Sequence, residues 1–285
     1  MASSLERHRD PLSANPRVTI GVTTYDRLAL LAECLHSIAG QTEEAFEVII
    51  GNDNPNRVLR ASDVALDDTR FRFVNHQTNR GELPNMNFLL GEARGKYFTW
   101  LADDDVYEPH YLAEMLAAIE RHQTEAVFCG YRQGESFVPD TETQVSTTVL
   151  EGSDFLGAYL SGEIRTLGVY GLFDRGYLLS LGGMRQLGSG FSPYSDNLLT
   201  IEAGQLARVA FTEAPLVFFR AHTESVSYTS TDLSAYLTAQ EDLADRCSEV
   251  FPLPQDDAFK ILLLRWFIRD FVGLVLRCRG VTLED

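Results

Sequence analysis

The chain has 285 residues and a mass of 31.9 kDa, enough for one large α/β domain or two small ones, and 45% hydrophobic residues fit a packed core rather than a disordered chain. A formal net charge of −17, from 41 acidic against 24 basic residues, argues against a nucleic-acid backbone binder and against simple adhesion to anionic lipid. The four cysteines, Cys34, Cys129, Cys247 and Cys278, show no metal-ligand spacing and imply free thiols in a reducing cytoplasm, the expected location.

The first residues, "MASSLERHRDPLSANPR", lack the apolar run of a signal peptide and read as a flexible leader over 1–16. "RVTIGVTT" from Arg17 is a β-branched strand, and Leu28, Leu31, Leu35 and Ile38 recur at helical steps after it. "FEVIIGND" from Phe46 is a second strand, left through an Asn-Asp-Asn-Pro turn. "RFRFVN" from Arg70 makes a third, "LPNMNFLLGEARG" from Leu83 a helix closed near Gly95, and "KYFTWLA" a fourth strand that runs into Asp103, Asp104 and Asp105. A helix over 108–121 and a strand over 125–131 follow. Beyond about residue 135 the rhythm is irregular and Gly-rich, until a helix and strand over 195–211 and another strand over 214–222. The tail reads as two helices, 232–250 and 256 to about 279. Within the second, "ILLLRWFIRDFVGLVLR" is interrupted by Arg265, Arg269 and Asp270 before it reaches a membrane-spanning length, so no transmembrane segment is expected.

Strands alternating with helices imply a mostly parallel sheet covered on both faces, and ligands of such sheets bind at the carboxyl ends of the strands. Three polar clusters fall at those ends: Thr23 to Asp26, Asn52 to Asn54, and Asp103 to Asp105. Three adjacent carboxylates need positive charge nearby. One of them could cap the helix expected from Glu108. Three together better suit a hard divalent cation, Mn2+ or Mg2+, with a diphosphate ligand.

"VTIGVTTYDRLALLAECLHSIAGQTEEAFEVIIGND" and "NRGELPNMNFLLGEARGKYFTWLADDDVYEPHYL" resemble a family 2 glycosyltransferase of the GT-A fold, closely over 18–131 and more loosely to about residue 227. The resemblance implies a mixed, mostly parallel sheet flanked by helices. It divides the chain into a glycosyltransferase domain over 17–230 and a C-terminal helical extension over 231–285. Within the domain, the nucleotide-binding half would be 17–131 and the acceptor half 132–230. The implied reaction is metal-dependent, inverting transfer of a sugar from a UDP- or dTDP-sugar to a hydroxyl of a saccharide, lipid-linked glycan or natural product.

The resemblance assigns Thr23, Tyr25 and Asp53 to the donor nucleotide, and Asn79, Gly81 and Asn87 to the segment before and within the second helix. Asp103 and Asp104 would approach ribose and diphosphate. Asp105 would bind the metal, with His222 a candidate further ligand and Arg220 either a phosphate contact or a surface residue. Asp196 in "SPYSD" would be the base that takes the acceptor proton, unless it caps the helix that follows. Two departures stand out: Asn52 replaces a usual aspartate, and Met86 a usual basic residue, for which Arg80 could substitute.

A nucleotidyltransferase would share the architecture but needs a Gly-rich basic loop after the first strand, which "TTYDRLAL" does not provide. A non-catalytic nucleotide-sugar-binding module is the remaining alternative. The C-terminal helix, with Trp266, Phe267, Phe271 and Leu274, is expected to pack on the core or form a homodimer in preference to peripheral membrane contact.

Overall fold

A computed structural model describes residues 16–140, 144–190, 192–222, 232–251 and 257–278. The leader expected over 1–16 therefore lies outside the described residues except for Pro16. Among the described residues nine strands form one mixed sheet: β1 (Val18–Thr24), β2 (Phe46–Asn52), β3 (Phe71–Asn75), β4 (Tyr97–Ala102), β5 (Val106–Tyr107), β6 (Ala126–Gly134), β7 (Thr147–Glu151), β8 (Leu172–Asp174) and β9 (Arg208–Arg220). The helices are α1 (Leu28–Ala39), α2 (Glu82–Glu92), α3 (Tyr111–His122), α4 (Gly152–Ser161), α5 (Arg175–Leu181), α6 (Ser195–Ala203), α7 (Leu233–Val250) and α8 (Asp257–Cys278).

The sheet order is β3-β2-β1-β4-β8-β6-β9-β5, with β7 on β9. Strands β3, β2, β1 and β4 run parallel, and β8 then enters antiparallel between β4 and β6. β1, β2 and β4 are buried along almost their whole length, as the continuous apolar runs in the sequence require of strands covered on both faces. The fold is thus α/β of the expected kind, with α7 and α8 as the expected C-terminal helices. β5 and β8 are additions the sequence did not signal, being two and three residues long.

Packing divides into three clusters. One, with Leu31, Leu35, Met115 and Ile119, lies under α1 and α3, and a second, with Leu89, Phe98, Trp100 and Phe173, lies under α2 and α5. In the third, Tyr236, Leu243, Trp266 and Leu274 of α7 and α8 close over Tyr159 of α4 and Tyr194 and Leu198 near α6. The C-terminal helices therefore complete a core against the second half of the chain.

Candidate active site

Because β2, β1 and β4 are parallel neighbours in register, with Thr24 opposite Asn52 and Thr23 opposite Ala102, their carboxyl ends emerge side by side. Thr24 joins the clusters that follow them. Its carbonyl accepts the Asp53 N–H at 3.0 Å, and its hydroxyl donates to Asp103 Oδ2 at 2.5 Å.

The positive charge that answers the aspartates is supplied first by the chain. The guanidinium of Arg27, at the start of α1, lies 2.5 Å from Asp103 Oδ1 and 2.7 Å from Asp104 Oδ2. Burial works against its charge, but the two carboxylates outweigh that cost and hold it more firmly protonated. Arg220 is a clasp on the same turn, with only a small part of its side chain exposed. Its backbone N–H donates to Asp105 Oδ1 at 2.8 Å, its Nε to the Asp104 carbonyl at 2.9 Å, and its Nη2 pairs with Glu33. The aspartates do not cap the next helix, since β5 intervenes and α3 begins only at Tyr111 behind a His110 cap.

Burial drives the carboxyl of Asp103 up to about 6, against the pull of Arg27 and Thr24. Asp105 is also pushed up, first by burial and then by the charge of Asp104. Its Oδ2 accepts the hydroxyl of Tyr170. That ring is held from behind: Tyr111 donates to the Tyr170 carbonyl at 2.8 Å, and Thr99 bonds both Tyr107 and Tyr111 at 3.1 Å. A chain of buried tyrosines therefore fixes where Asp105 points.

Asp104 is the member of the triplet with a neighbouring histidine, His222 Nε2, 3.0 Å from its Oδ2. Asp104 and Asp105 line a cavity of about 230 Å³. Among the described residues no ready-made cluster of three metal-ligating side chains exists. The donor set nevertheless fits Mn2+ or Mg2+, because such an ion needs only one or two carboxylates when substrate phosphates and water complete its shell.

The same cavity is lined by Thr23, Arg27, Glu82, Met86, Trp100, Tyr170, Ser195 and Asp196. Asp196 is the second residue of α6, with Tyr194 rather than Asp196 at the N-cap position, and its Oδ1 accepts the Asn197 N–H at 2.8 Å. Burial pushes its carboxyl up to about 6, and the charge of Glu82 adds to the effect. Glu82, in the first turn of α2, is itself raised by burial, an effect opposed by Arg27 and reinforced by Asp104. A larger hollow of about 960 Å³ runs along β6 and β9. None of the expected site residues lines it, so the smaller cavity is the candidate centre.

Other expected residues divide into those at the cavity and those bracing it. Tyr25 does not line the cavity and is 51% exposed, between Thr23 and Arg27, which do line it. Asp53 accepts the N–H groups of Arg80 and Gly81, both at 2.8 Å, and Gly81 reaches this geometry at φ +86°, where a side chain would be strained. Asn79 caps the same turn by accepting the Gly81 N–H. Asn87 is turned away from the cavity, its amide clamped by the Met184 N–H and C=O at 2.8 Å. Arg80, expected to replace the charge missing at Met86, is exposed and lies over the Phe88 ring, while the Arg27 guanidinium lies beside Asp103 and Asp104. Met86 instead forms apolar floor, its carbonyl accepting the Trp100 indole N–H at 3.1 Å. Sequence reading missed Arg27, Glu82 and Tyr170. Arg27 directly follows the first polar cluster and so had a positional signal, whereas Tyr170 had none.

The family described as Glycosyl transferase family 2 matches residues 19–157. EpsH of Bacillus subtilis (strain 168), a glycosyltransferase by name, is 26% identical over 217 residues, covering 74% of this chain and 62% of EpsH. The uncharacterized glycosyltransferase EpsJ of the same organism is 32% identical over 123 residues, covering 42% of this chain and 36% of EpsJ. The chain thus spans less than two thirds of these relatives. Among solved structures, S. aureus TarS 1-349 in complex with UDP superposes with a TM-score of 0.57 at 16% identity, covering 93% of this chain and 83% of that one. Mannosyltransferase PcManGT from Pyrobaculum calidifontis, in complex with GDP-Man and Mn2+, gives 0.57 at 16%, covering 96% and 78%. At these identities the two structures establish the shared fold.

Proposed function

Since the Glycosyl transferase family 2 model matches residues 19–157, we propose that the chain transfers a sugar from a nucleoside-diphosphate donor, a UDP- or dTDP-sugar, to an acceptor hydroxyl with inversion. The observation that carries this reading is a single cavity lined by Asp104, Asp105 and Asp196 together. A volume of about 230 Å³ suits a sugar ring and its leaving group rather than a whole nucleotide sugar. The nucleoside would lie in the open region beside Thr23, Tyr25 and Asp53, with Asn79 and Arg80 at the rim and Asn87 supporting from behind.

A divalent cation held by Asp104, Asp105 and His222 would neutralise charge on the departing diphosphate. Arg27 places a fixed positive charge beside the same carboxylates, and Asp103 with Thr24 anchors the turn that presents them. Asp196 accepts the proton of the acceptor hydroxyl as that oxygen bonds to the anomeric carbon and the bond to the diphosphate breaks. One displacement on the face opposite the leaving group inverts the centre.

A screen of nucleotide sugars with Mn2+ and simple acceptors should release nucleoside diphosphate in step with transfer. Asp196→Asn should lower kcat by about 10²- to 10⁴-fold, the range for removing a general base, while donor binding stays within a few-fold. Pyrophosphate as the product, or full activity in Asp196→Asn, would overturn the assignment.

A further inference from the structure

Strand β6 pairs with β9 through two successive register shifts, between Cys129 and Gly130 and between Gly130 and Tyr131, with Pro215 opposite Gly130. Such a bulge bends its strand and re-aims the side chain that follows, and the hollow of about 960 Å³ lies against it, lined by Gly130, Tyr131 and Pro215. The Tyr131 ring is also 6.5 Å from that of Tyr170 and 6.3 Å from that of Phe219, both of which line the smaller cavity together with Asp196. The segment 163–170 makes a second connection. Glu163 and Arg165 line the hollow, Leu167 and Tyr170 the cavity, and the buried Thr166 between them donates its hydroxyl to the Cys129 carbonyl of β6 at 2.7 Å. The two spaces therefore adjoin across one aromatic wall.

The chemistry of the lining narrows what the hollow can hold. Tyr131, Phe211 and Pro215 are half-buried rings, with Glu163, Arg165 and Glu213 exposed around them. Two arginines, Arg132 and Arg165, are matched by two glutamates, Glu163 and Glu213. Arg132 already pairs with Glu108, so no excess positive charge is left to hold a phosphate. A sugar ring matches this set, because its C–H faces can lie on aromatic faces, which are negative, while its hydroxyls donate to carboxylates and accept from a guanidinium. We propose that the hollow is the subsite for the inner units of an uncharged oligosaccharide acceptor, whose terminal ring reaches Asp196 past Tyr131. Its volume is near the upper end of the range of about 300–1,000 Å³ for small-molecule sites and admits more than one ring, whereas the smaller cavity is sized for one. That the occupant is an acceptor rests on the transfer proposed above; that the hollow binds a saccharide does not.

The test is calorimetric titration of the full chain, with and without UDP and Mn2+, using cellotetraose, mannotetraose and chitotetraose beside glucose, mannose and N-acetylglucosamine. At least one tetrasaccharide should bind about ten-fold or more tightly than its monosaccharide. Glu163→Ala with Arg165→Ala, and separately Glu213→Arg, should each weaken that binding about ten-fold, while UDP affinity and the melting temperature keep their wild-type values. Release of nucleoside diphosphate from a donor reads the transfer separately: tetrasaccharide binding that the variants lose, in a chain that turns over no donor, would sink the transfer and keep the site. The site is overturned if no tetrasaccharide binds more tightly than its monosaccharide, if both variants bind as the wild type does, or if the variants lose UDP instead, which would make the hollow part of the donor site.

Discussion

A carboxylate serves as a base only after losing its own proton, so with Asp196 as the proposed base its environment should set where activity begins. With burial first, and Glu82 adding like charge, its carboxyl is pushed up to about 6. The acid limb of kcat/KM should therefore lie near pH 6 rather than in the ordinary carboxylate range near 4. Glu82→Gln removes one opposing negative charge and should move that limb to lower pH, with the fold intact. A limb that stays in place would show that the two carboxyls do not sense each other. The sign for stability is opposite to that for activity. A raised folded-state value means the folded chain holds this proton more tightly than the unfolded chain, so stability from this group falls as pH rises from about 4 through 6. Asp196→Asn should accordingly melt at or above the wild-type temperature at pH 8, even as transfer is lost.

At the scale of the element, the site is made by strand ends and by one tight crossing. The turn at Gly168–Tyr170 carries the ring that holds Asp105, and it also abuts the first turn of α6. A Cβ at Gly168 would lie 2.1 Å from the Asp196 carbonyl oxygen and 2.9 Å from Thr200 Oγ1, so any side chain there must displace α6 or the turn. Gly168→Ala should cost about 1–3 kcal/mol as an overpacking change and lower kcat more than it raises KM. Thermal melts beside steady-state kinetics measure both. Normal kcat in a destabilised variant would mean that α6 holds Asp196 without help from this contact.

For the whole molecule, the C-terminal helices connect to the chemistry through Tyr194. Its ring meets Trp266 at 5.9 Å and Tyr236 at 6.0 Å, its hydroxyl bonds Asp270 and accepts from Gln240, and it precedes Asp196 by two residues. Trp266→Ala should destabilise by about 3–5 kcal/mol, the range for truncating a buried large aromatic residue, and should lower kcat well below the melting temperature. A variant with full kcat at low temperature would reduce the extension to a packing role. A second anchor behaves similarly: Glu202, buried on α6, faces both Arg185 and Arg246 of α7, so α7 too is tied to the helix that bears Asp196. Among the described residues no helix is long and apolar enough to cross a membrane.

The sequence by itself determined the alternation of strands and helices through 131, apart from the two-residue β5, because the apolar periodicity of fully buried strands and one-sided helices is local. It also determined that polar clusters follow β1, β2 and β4, since a strand end is marked by its own residues. The irregular stretch after residue 135 was less legible: β8, at three residues, gains its pairing from β4 and β6, which are distant in the chain. Only the tertiary structure decided which cation meets the aspartates. Arg27 lies 76 positions before Asp103, and nothing local to either shows that parallel pairing of β1 with β4 brings them together. The same holds for Glu82 opposite Asp196 and for Tyr170 behind Asp105. Secondary structure follows from neighbours along the chain, whereas charge balance in a buried site depends on distances that exist only once the sheet has assembled.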